Sequence, residues 1–285
     1  MLKPAFSTVA CPEWPLETVF ANAARMGYLA VELRTFGDNS RSFACDPALT
    51  APEKIRGYTD KFGVQVGVLG TGIRFDAPIS PPVLGHLIGD NEKAVREGKR
   101  AIDLAATLEC PYVRMFAYQA QTTESSAAAI ARLAPRIAKV ADHAHRTGVK
   151  IVIENGGSFQ RASELAAVLD AVGSPLVGAC YNVAIGHVAG DKADSAFNVL
   201  GERLWVARVK DVKAGIPCRL GEGEIPVRAA FDRLSAIGFD GPVVFEYDRA
   251  WIENLEAAEP VLTSAAINIF NWIGASVKKP ALAAR

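Results

Sequence analysis

The sequence has no excess of charge of either sign, because 31 basic residues balance 31 acidic ones. Without a basic excess, the chain offers phosphate backbones and anionic membrane surfaces little general attraction, so we expect neither a nucleic-acid nor a membrane partner. It also has no apolar run near the roughly 18 residues of a spanning helix, and none at the N-terminus long enough for a signal peptide. These absences predict a soluble, unprocessed cytoplasmic protein.

Paired cysteines are missing as well. The five cysteines form no CxxC pair and have no metal-finger spacing. Such isolated cysteines are typical of reduced, mostly buried thiols, which suits a cytoplasmic protein.

What the chain does contain is a repeated alternation of short apolar segments and longer amphipathic ones. With 285 residues, 50% hydrophobic composition and 22% charged residues, it can bury a large core. Eight strand–helix alternations favour a single closed (β/α)8 TIM barrel over residues 1–275, followed by a frayed tail at 276–285. The predicted strands are residues 5–10, 28–33, 64–69, 111–116, 148–154, 176–180, 204–209 and 243–246. The predicted helices are residues 15–26, 52–62, 91–108, 125–146, 163–172 (with Ser163 as N-cap), 191–200, 227–237 and 252–273.

The stretch KIVIENGG, residues 150–157, carries the strongest functional signal. A short β-branched run between glycines is typical of a buried strand, and here it runs into the carboxylate of Glu154. The segment FEY places Glu246 in the same way at the end of the eighth strand. Because barrel chemistry lies at the carboxyl ends of the strands, two such carboxylates indicate proton transfer. The alternative is that each forms a salt bridge that only closes the barrel.

Other polar residues also lie at or just after predicted strand ends. They are Glu32, Arg114, Asn182, Arg208, Lys210 and Asp211.

Five segments carry a resemblance to a known family: GYLAVELR at 27–34, GVKIVIEN at 148–155, ARVKD at 207–211, LGEGEIP at 220–226 and GFDGPVVFEY at 238–247. In this order and spacing they resemble the xylose-isomerase-like superfamily of sugar isomerases and epimerases. That superfamily includes tagatose and psicose 3-epimerases, inosose-processing enzymes, hydroxypyruvate isomerase and, more distantly, endonuclease IV. The resemblance implies a TIM barrel, a small-molecule carbohydrate substrate and a homo-oligomer.

The resemblance also implies a divalent metal, manganese, magnesium or zinc, held by Glu, Asp, His and Glu from strands five to eight. Glu154 and Glu246 match that pattern, whereas Asn182 stands at the aspartate position and Arg208 at the histidine position. An asparagine oxygen can ligate a hard cation, so a retained metal would use Glu154, Asn182 and Glu246. Arginine stays protonated and cannot ligate. We therefore hypothesise that Arg208 pairs with Glu154 or Glu246 and supplies part of the positive field.

The resulting prediction is a sugar isomerase or epimerase in which Glu154 and Glu246 transfer protons through an enediol(ate). The predicted substrate-binding residues are Glu32, Arg114, His187, Arg208 and Lys210. For Lys210 and Asp211, a structural pair that fixes the loop after strand seven is an equal alternative. A non-catalytic or metal-free sugar-binding barrel is the second hypothesis, and a lyase or dehydratase the third. An endonuclease would need several metal-binding histidines, and the chain has four in total.

Overall fold

Eight parallel strands close into a ring in the computed structural model, which describes residues 2–77 and 92–274. The strands are β1 (Lys3–Ser7), β2 (Ala30–Arg34), β3 (Gln65–Arg74), β4 (Tyr112–Phe116), β5 (Lys150–Glu154), β6 (Val177–Asn182), β7 (Leu204–Val209), β8 (Asp211–Lys213), β9 (Ile216–Cys218) and β10 (Pro242–Phe245). Around the ring the order is β1, β10, β7, β6, β5, β4, β3 and β2, while β8 and β9 form a separate antiparallel hairpin. The predicted (β/α)8 barrel is confirmed.

Helices connect the strands of the ring. They are α1 (Leu16–Met26), α2 (Pro52–Phe62), α3 (Lys93–Thr107), α4 (Ser126–His143), α5 (Ala162–Val172), α6 (Val183–Val188), α7 (Ala193–Leu200), α8 (Val227–Ala236) and α9 (Ala258–Trp272). Gly27 and Gly63 end α1 and α2 in the left-handed conformation, which favours glycine. None of the helices within the described residues is long and apolar enough to cross a membrane.

The chain divides into two compact units. The first unit contains residues up to 68 and from 207 onward, and the second contains residues 69–206.

Several boundaries differ from the sequence prediction, among them β1, which was predicted at 5–10 and spans Lys3–Ser7, and two of the differences have a local cause. Ser163 is not the N-cap of α5, because the helix begins one residue earlier and the Glu164 carboxylate accepts the backbone N–H of Arg161. The last helix, α9, begins at Ala258 instead of residue 252, after a stretch in which Asn254 has a φ of 62°. The first residue of the helix predicted at 91–108 lies outside the described residues, as does the tail predicted at 276–285. The domain boundary at residue 275 therefore stays a prediction.

Two elements were missed. The helix α6 was not predicted, because its six residues are too few to show a period and it depends on a cap by Asn182, whose Oδ1 accepts the backbone N–H of Ile185. The hairpin of β8 and β9 was also missed, since each strand has three residues.

All five cysteines are free thiols. Cys11, Cys45, Cys110 and Cys180 are buried, whereas Cys218 is partly exposed. Burial raises the pKa of Cys45 to about 12 and that of Cys218 to about 11, which keeps both protonated at neutral pH. The prediction of reduced, mostly buried thiols is confirmed.

In the second unit, Arg132 ties two loops to α4. Its guanidinium makes a bidentate pair with Glu124, with Nε–Oε1 and Nη2–Oε2 distances of 2.8 and 2.6 Å, and its Nη1 donates to the carbonyl of Asp76 at 3.0 Å. The loops after β3 and β4 are thereby fixed to one helix. The hydrogen bonds from Arg132 lower the pKa of the Glu124 carboxyl to about 2.

This pair makes a pH-dependent contribution to stability. Because the pKa of Glu124 is lower in the folded state than the ordinary value of 4.5, its contribution is present above pH 4.5 and is lost as the pH falls towards about 2. We expect Glu124→Gln to lower the free energy of unfolding at pH 7 by about 1 kcal/mol, and the difference from wild type to shrink below pH 4.5. Urea unfolding across this pH range measures it. The exposed Glu253→Gln is the control, and a pH-independent difference at Glu124 would contradict the assignment.

Candidate active-site clusters

A charged cluster lies at the carboxyl ends of strands of the first unit. We call it the Arg208 cluster and define it as Glu32, Arg208, Lys210, Glu246 and Asp248. The strand register explains part of this placement, since Arg208 of β7 is aligned with Val244 of β10. Glu246 follows Val244 by two residues, so the alternation of side chains along a strand puts it on the same side.

The guanidinium of Arg208 pairs with two carboxylates. Its Nη1 donates to Glu32, and its Nη2 lies 2.9 Å from Oε2 of Glu246, which also accepts from Nε at 3.3 Å. The side chains of Arg208 and Glu32 are 1% and 0% exposed, and that of Glu246 is 13% exposed. Ser7, which is aligned with Glu32, donates its hydroxyl to the other oxygen of Glu32 at 2.7 Å. The buried charge of Arg208 is thus compensated by Glu32 of β2 and by Glu246, which directly follows β10. Ser7 of β1 binds the second oxygen of Glu32.

Lys210 and Asp248 extend the cluster towards solvent. The Lys210 Nζ lies 3.1 Å from Oδ2 of Asp248, and both side chains are largely buried. Burial opposes the charge of Lys210, but Glu246 and Asp248 outweigh it and raise the pKa of Lys210. Burial, followed by the charge of Glu246, raises the pKa of Asp248. The cluster therefore sets three carboxyl groups against two basic side chains.

Asp211 has a structural role instead. Its carboxylate accepts four backbone N–H groups, those of Val212, Gly221, Gly223 and Ile225, at 2.8–3.1 Å. A Cβ at Gly223 would lie 2.2 Å from its Oδ1, so this position requires glycine. Asp211 fixes the LGEGEIP loop, which accounts for a recognisable motif without assigning it chemistry.

The second unit holds a smaller cluster at its own strand ends. We call it the Glu154 cluster and define it as Arg114, Glu154, Asn155 and Asn182. Glu154 ends β5 in register with Phe116 of β4 and Cys180 of β6, so Arg114 and Asn182, each two residues along, share its side. The Arg114 Nε lies 3.2 Å from Oε2 of Glu154, and the Asn182 Nδ2 donates to Oε1 at 3.0 Å. Arg114 and Glu154 are both about 95% buried.

Asn155 holds Asn182 in place. Its Oδ1 accepts the backbone N–H of Asn182 at 2.6 Å, and its Nδ2 donates to the carbonyls of Gln160 and Asn182. Asn182 in turn accepts the N–H of Ile185 with Oδ1. The amide orientation of Asn182 is therefore set from both ends, with its N–H group towards Glu154.

The structure brings most of the predicted residues into these clusters, and it pairs Arg208 with Glu246 as hypothesised. Glu32, predicted as a substrate contact, is a buried partner of Arg208, and its contact with a substrate stays a prediction. His187 lies on the exposed part of α6. Two cluster members were missed: Asp248, which its spacing of two from Glu246 could have indicated, and Asn155, which directly follows Glu154.

The chain belongs to a known family. Residues 20–266 match the family model of the xylose isomerase-like TIM barrel. No curated protein matches the sequence.

Several solved structures have the same fold. A structure of L-ribulose 3-epimerase is 18% identical, with a TM-score of 0.79, over 96% of this chain and 95% of the other. The IOLI protein "with a binding zinc atom" is 17% identical, with a TM-score of 0.78, over 95% and 98% of the two chains. D-psicose 3-epimerase in the presence of D-fructose is 15% identical, with a TM-score of 0.75, over 95% and 99%. At identities this low, the structural similarity shows a shared fold and nothing finer.

The family resemblance implies a divalent metal, but the residues of the two clusters differ from what a metal site requires. Arg208 stands where the family resemblance implies a histidine ligand, and its guanidinium occupies Oε2 of Glu246. Asn182 turns an N–H donor towards Glu154, whereas a ligand would turn an oxygen. Among the described residues, no three His, Cys, Asp or Glu side chains are grouped to hold a metal ion. A guanidinium about 4 Å from a dication would repel it by about 8 kcal/mol at an effective dielectric constant of about 20. The donor set therefore does not fit a metal.

The pairing of Arg208 with the fully buried Glu32 predicts a large stability effect. Arg208→Met leaves that carboxylate without its main partner, so we expect the free energy of unfolding to fall by about 3–5 kcal/mol. Adding Glu32→Gln should restore part of the loss, because the uncompensated charge is removed. Urea denaturation measures both variants.

The control is Arg25→Met, which breaks an exposed pair with Glu259 in the same unit and should cost less than about 1 kcal/mol. A similarly small loss for Arg208→Met would show that Arg208 does not hold Glu32.

Proposed function

We propose that this protein is an isomerase or epimerase of a small polyhydroxylated ketose or aldose. Glu154 and Glu246 are the proton-transferring carboxylates. The single observation that carries the proposal is that each is a largely buried carboxylate at a strand's carboxyl end with an arginine beside it, Arg114 at 3.2 Å from Oε2 of Glu154 and Arg208 at 2.9 Å from Oε2 of Glu246. Barrel enzymes place their reacting groups at these strand ends. Family membership and the epimerase structures with the same fold support the class of reaction.

The first step is removal of a proton from a carbon next to the carbonyl. One carboxylate takes the proton, the C–H electron pair forms the C=C bond of an enediolate, and the carbonyl oxygen gains the negative charge. In an epimerisation, the second carboxyl group returns a proton to the other face of the same carbon. In an isomerisation, the proton returns to the former carbonyl carbon, and the hydroxyl proton of the carbon that was deprotonated passes to the former carbonyl oxygen, which makes the deprotonated carbon the new carbonyl. The atoms balance without a redox partner.

The basic side chains suit the charge that develops in this step. Arg114 lies beside Glu154 in one cluster, and Arg208 and Lys210 lie beside Glu246 in the other. Fixed positive charge in a site with little water stabilises an oxyanion more than it would in solution. A lyase or dehydratase would share this first step and differ in expelling a hydroxyl group afterwards.

A second candidate is a non-catalytic sugar-binding barrel. The pairing of Glu246 with Arg208 favours it, because Oε2, one of the two oxygens that could take a proton, already accepts N–H groups of Arg208. The two candidates differ in an observable way: both bind a sugar, but only the enzyme exchanges a carbon-bound proton with water.

Deuterium incorporation separates them. We expect the wild-type protein, incubated in D2O with a panel of ketoses and aldoses, to place deuterium on the carbon next to the carbonyl of one of them. Glu154→Gln and Glu246→Gln should each lower the rate by about 100- to 10,000-fold, since an amide cannot carry the proton. Mass spectrometry measures the label, and NMR identifies the carbon and distinguishes epimer, isomer and dehydrated product.

Glu202→Gln, at an exposed carboxylate, is the control and should leave the exchange rate unchanged. If a sugar binds by calorimetry but no label enters in the wild type, the binding barrel is the better description. Full exchange in both glutamine variants would remove Glu154 and Glu246 from the mechanism.

A further inference from the structure

We propose that Arg208 takes the place of a divalent metal as the fixed cation beside Glu246, so that the chemistry proposed above proceeds without a metal. This inference rests on the proposed function and says how its charge is stabilised. It gives the protein a substrate-binding mode different from that of a metal enzyme, since hydroxyl and carbonyl oxygens meet hydrogen-bond donors and a fixed charge instead of a Lewis acid.

Burial and bonding support this assignment. Arg208 is 1% exposed, and its planar fork spans Glu32 on one side and Glu246 on the other. A guanidinium so enclosed cannot swing aside into solvent to admit an ion. For a metal to bind Glu246 through Oε2, two N–H contacts would have to break, at 2.9 and 3.3 Å, and the freed guanidinium would stay buried.

The charge of the cluster leads to the same conclusion. Glu32, Glu246 and Asp248 are three acidic groups in one largely buried region, where their negative charge needs compensation. Here Arg208 contacts two of them and Lys210 contacts the third. The positive charge that a metal would contribute is thus already supplied by Arg208, which lies in β7, and by Lys210, which directly follows β7.

In the second unit, the residues of the Glu154 cluster also do not fit a metal site. Asn182 donates to Oε1 of Glu154, and its own oxygen is used by the backbone N–H of Ile185. Arg114 places a further positive charge 3.2 Å from Oε2 of Glu154. Glu246 therefore accepts N–H groups of Arg208, and Glu154 accepts the side-chain amide of Asn182 with the charge of Arg114 beside it.

Metal analysis tests the proposal without relying on activity. The wild-type protein, purified without chelator and incubated with manganese, magnesium or zinc salts, should retain well under one equivalent after desalting, and calorimetry should show no site. Sugar-dependent deuterium exchange should change by less than about twofold with EDTA or added manganese.

Variants make the test sharper. Arg208→His removes the guanidinium and supplies beside Glu246 the ligand type that the family resemblance implies, so it should gain zinc or manganese. Its matched control is Arg208→Gln, which removes the guanidinium without adding a nitrogen ligand and should bind less tightly. Circular dichroism checks that both fold. Arg208→Lys should keep more exchange activity than Arg208→Gln, a rescue that packing alone would not produce because glutamine and lysine both lose the fork.

The outcomes separate this inference from the proposed function. Exchange that EDTA abolishes and manganese restores, with one equivalent bound to the wild type, would overturn the inference and leave the proposed function standing. No exchange with any sugar, combined with metal binding by the histidine variant alone, would overturn the function and support the inference about the cation. A folded histidine variant that gains no metal would also count against Arg208 occupying the cation's place.

Discussion

The first unit depends on one enclosed guanidinium. A side chain as large as that of Arg208 can be buried with its charge only if acceptors surround it, and Glu32 and Glu246 supply them. Each of those carboxylates would in turn be costly to bury alone. The three side chains therefore stabilise one another, and loss of Arg208 leaves both carboxylates without their common partner.

The strand pairing makes this arrangement possible. β1 aligns Ser7 with Glu32, and β10 brings Glu246 to the side on which Arg208 of β7 lies. The same geometric logic operates in the second unit, where the register of β4, β5 and β6 collects Arg114, Glu154 and Asn182. In both units the acid lies two residues beyond a position that is aligned with an arginine of the neighbouring strand. Val152 is aligned with Arg114, and Val244 is aligned with Arg208. Carboxylates held in this way have a fixed direction, which proton transfer requires.

The fold could be predicted from the sequence because its signals are local. The helix predicted at 52–62 has its observed bounds, since Pro52 begins it and Gly63 ends it, and β7 was predicted at its observed residues.

Contacts between distant segments were harder to predict. Glu32 and Arg208 are 176 positions apart, and only the closed ring shows that they are partners. The pairing of Arg208 with Glu246 was easier to predict, because both residues lie at predicted strand ends and a charged side chain there needs a partner of opposite charge. Asp248 was missed because a residue just beyond a strand looks like an ordinary loop residue. The helix α6 was missed because a cap of a single asparagine is a weak signal.

The family gives this chain its barrel, and the substitutions at two strand ends give it a different charge distribution. An asparagine and an arginine stand where the resemblance implies an aspartate and a histidine, and neighbouring residues bind them: Asn155 orients Asn182, and Glu32, which is bound by Ser7, pairs with Arg208.

The most direct test of this account is a crystal structure of the protein grown with zinc, with anomalous diffraction recorded at the zinc edge. The account predicts that the Arg208 guanidinium contacts both Glu32 and Glu246 and that no anomalous peak lies on Glu246. An anomalous peak bonded to Glu246, with Arg208 displaced from it, would contradict the account.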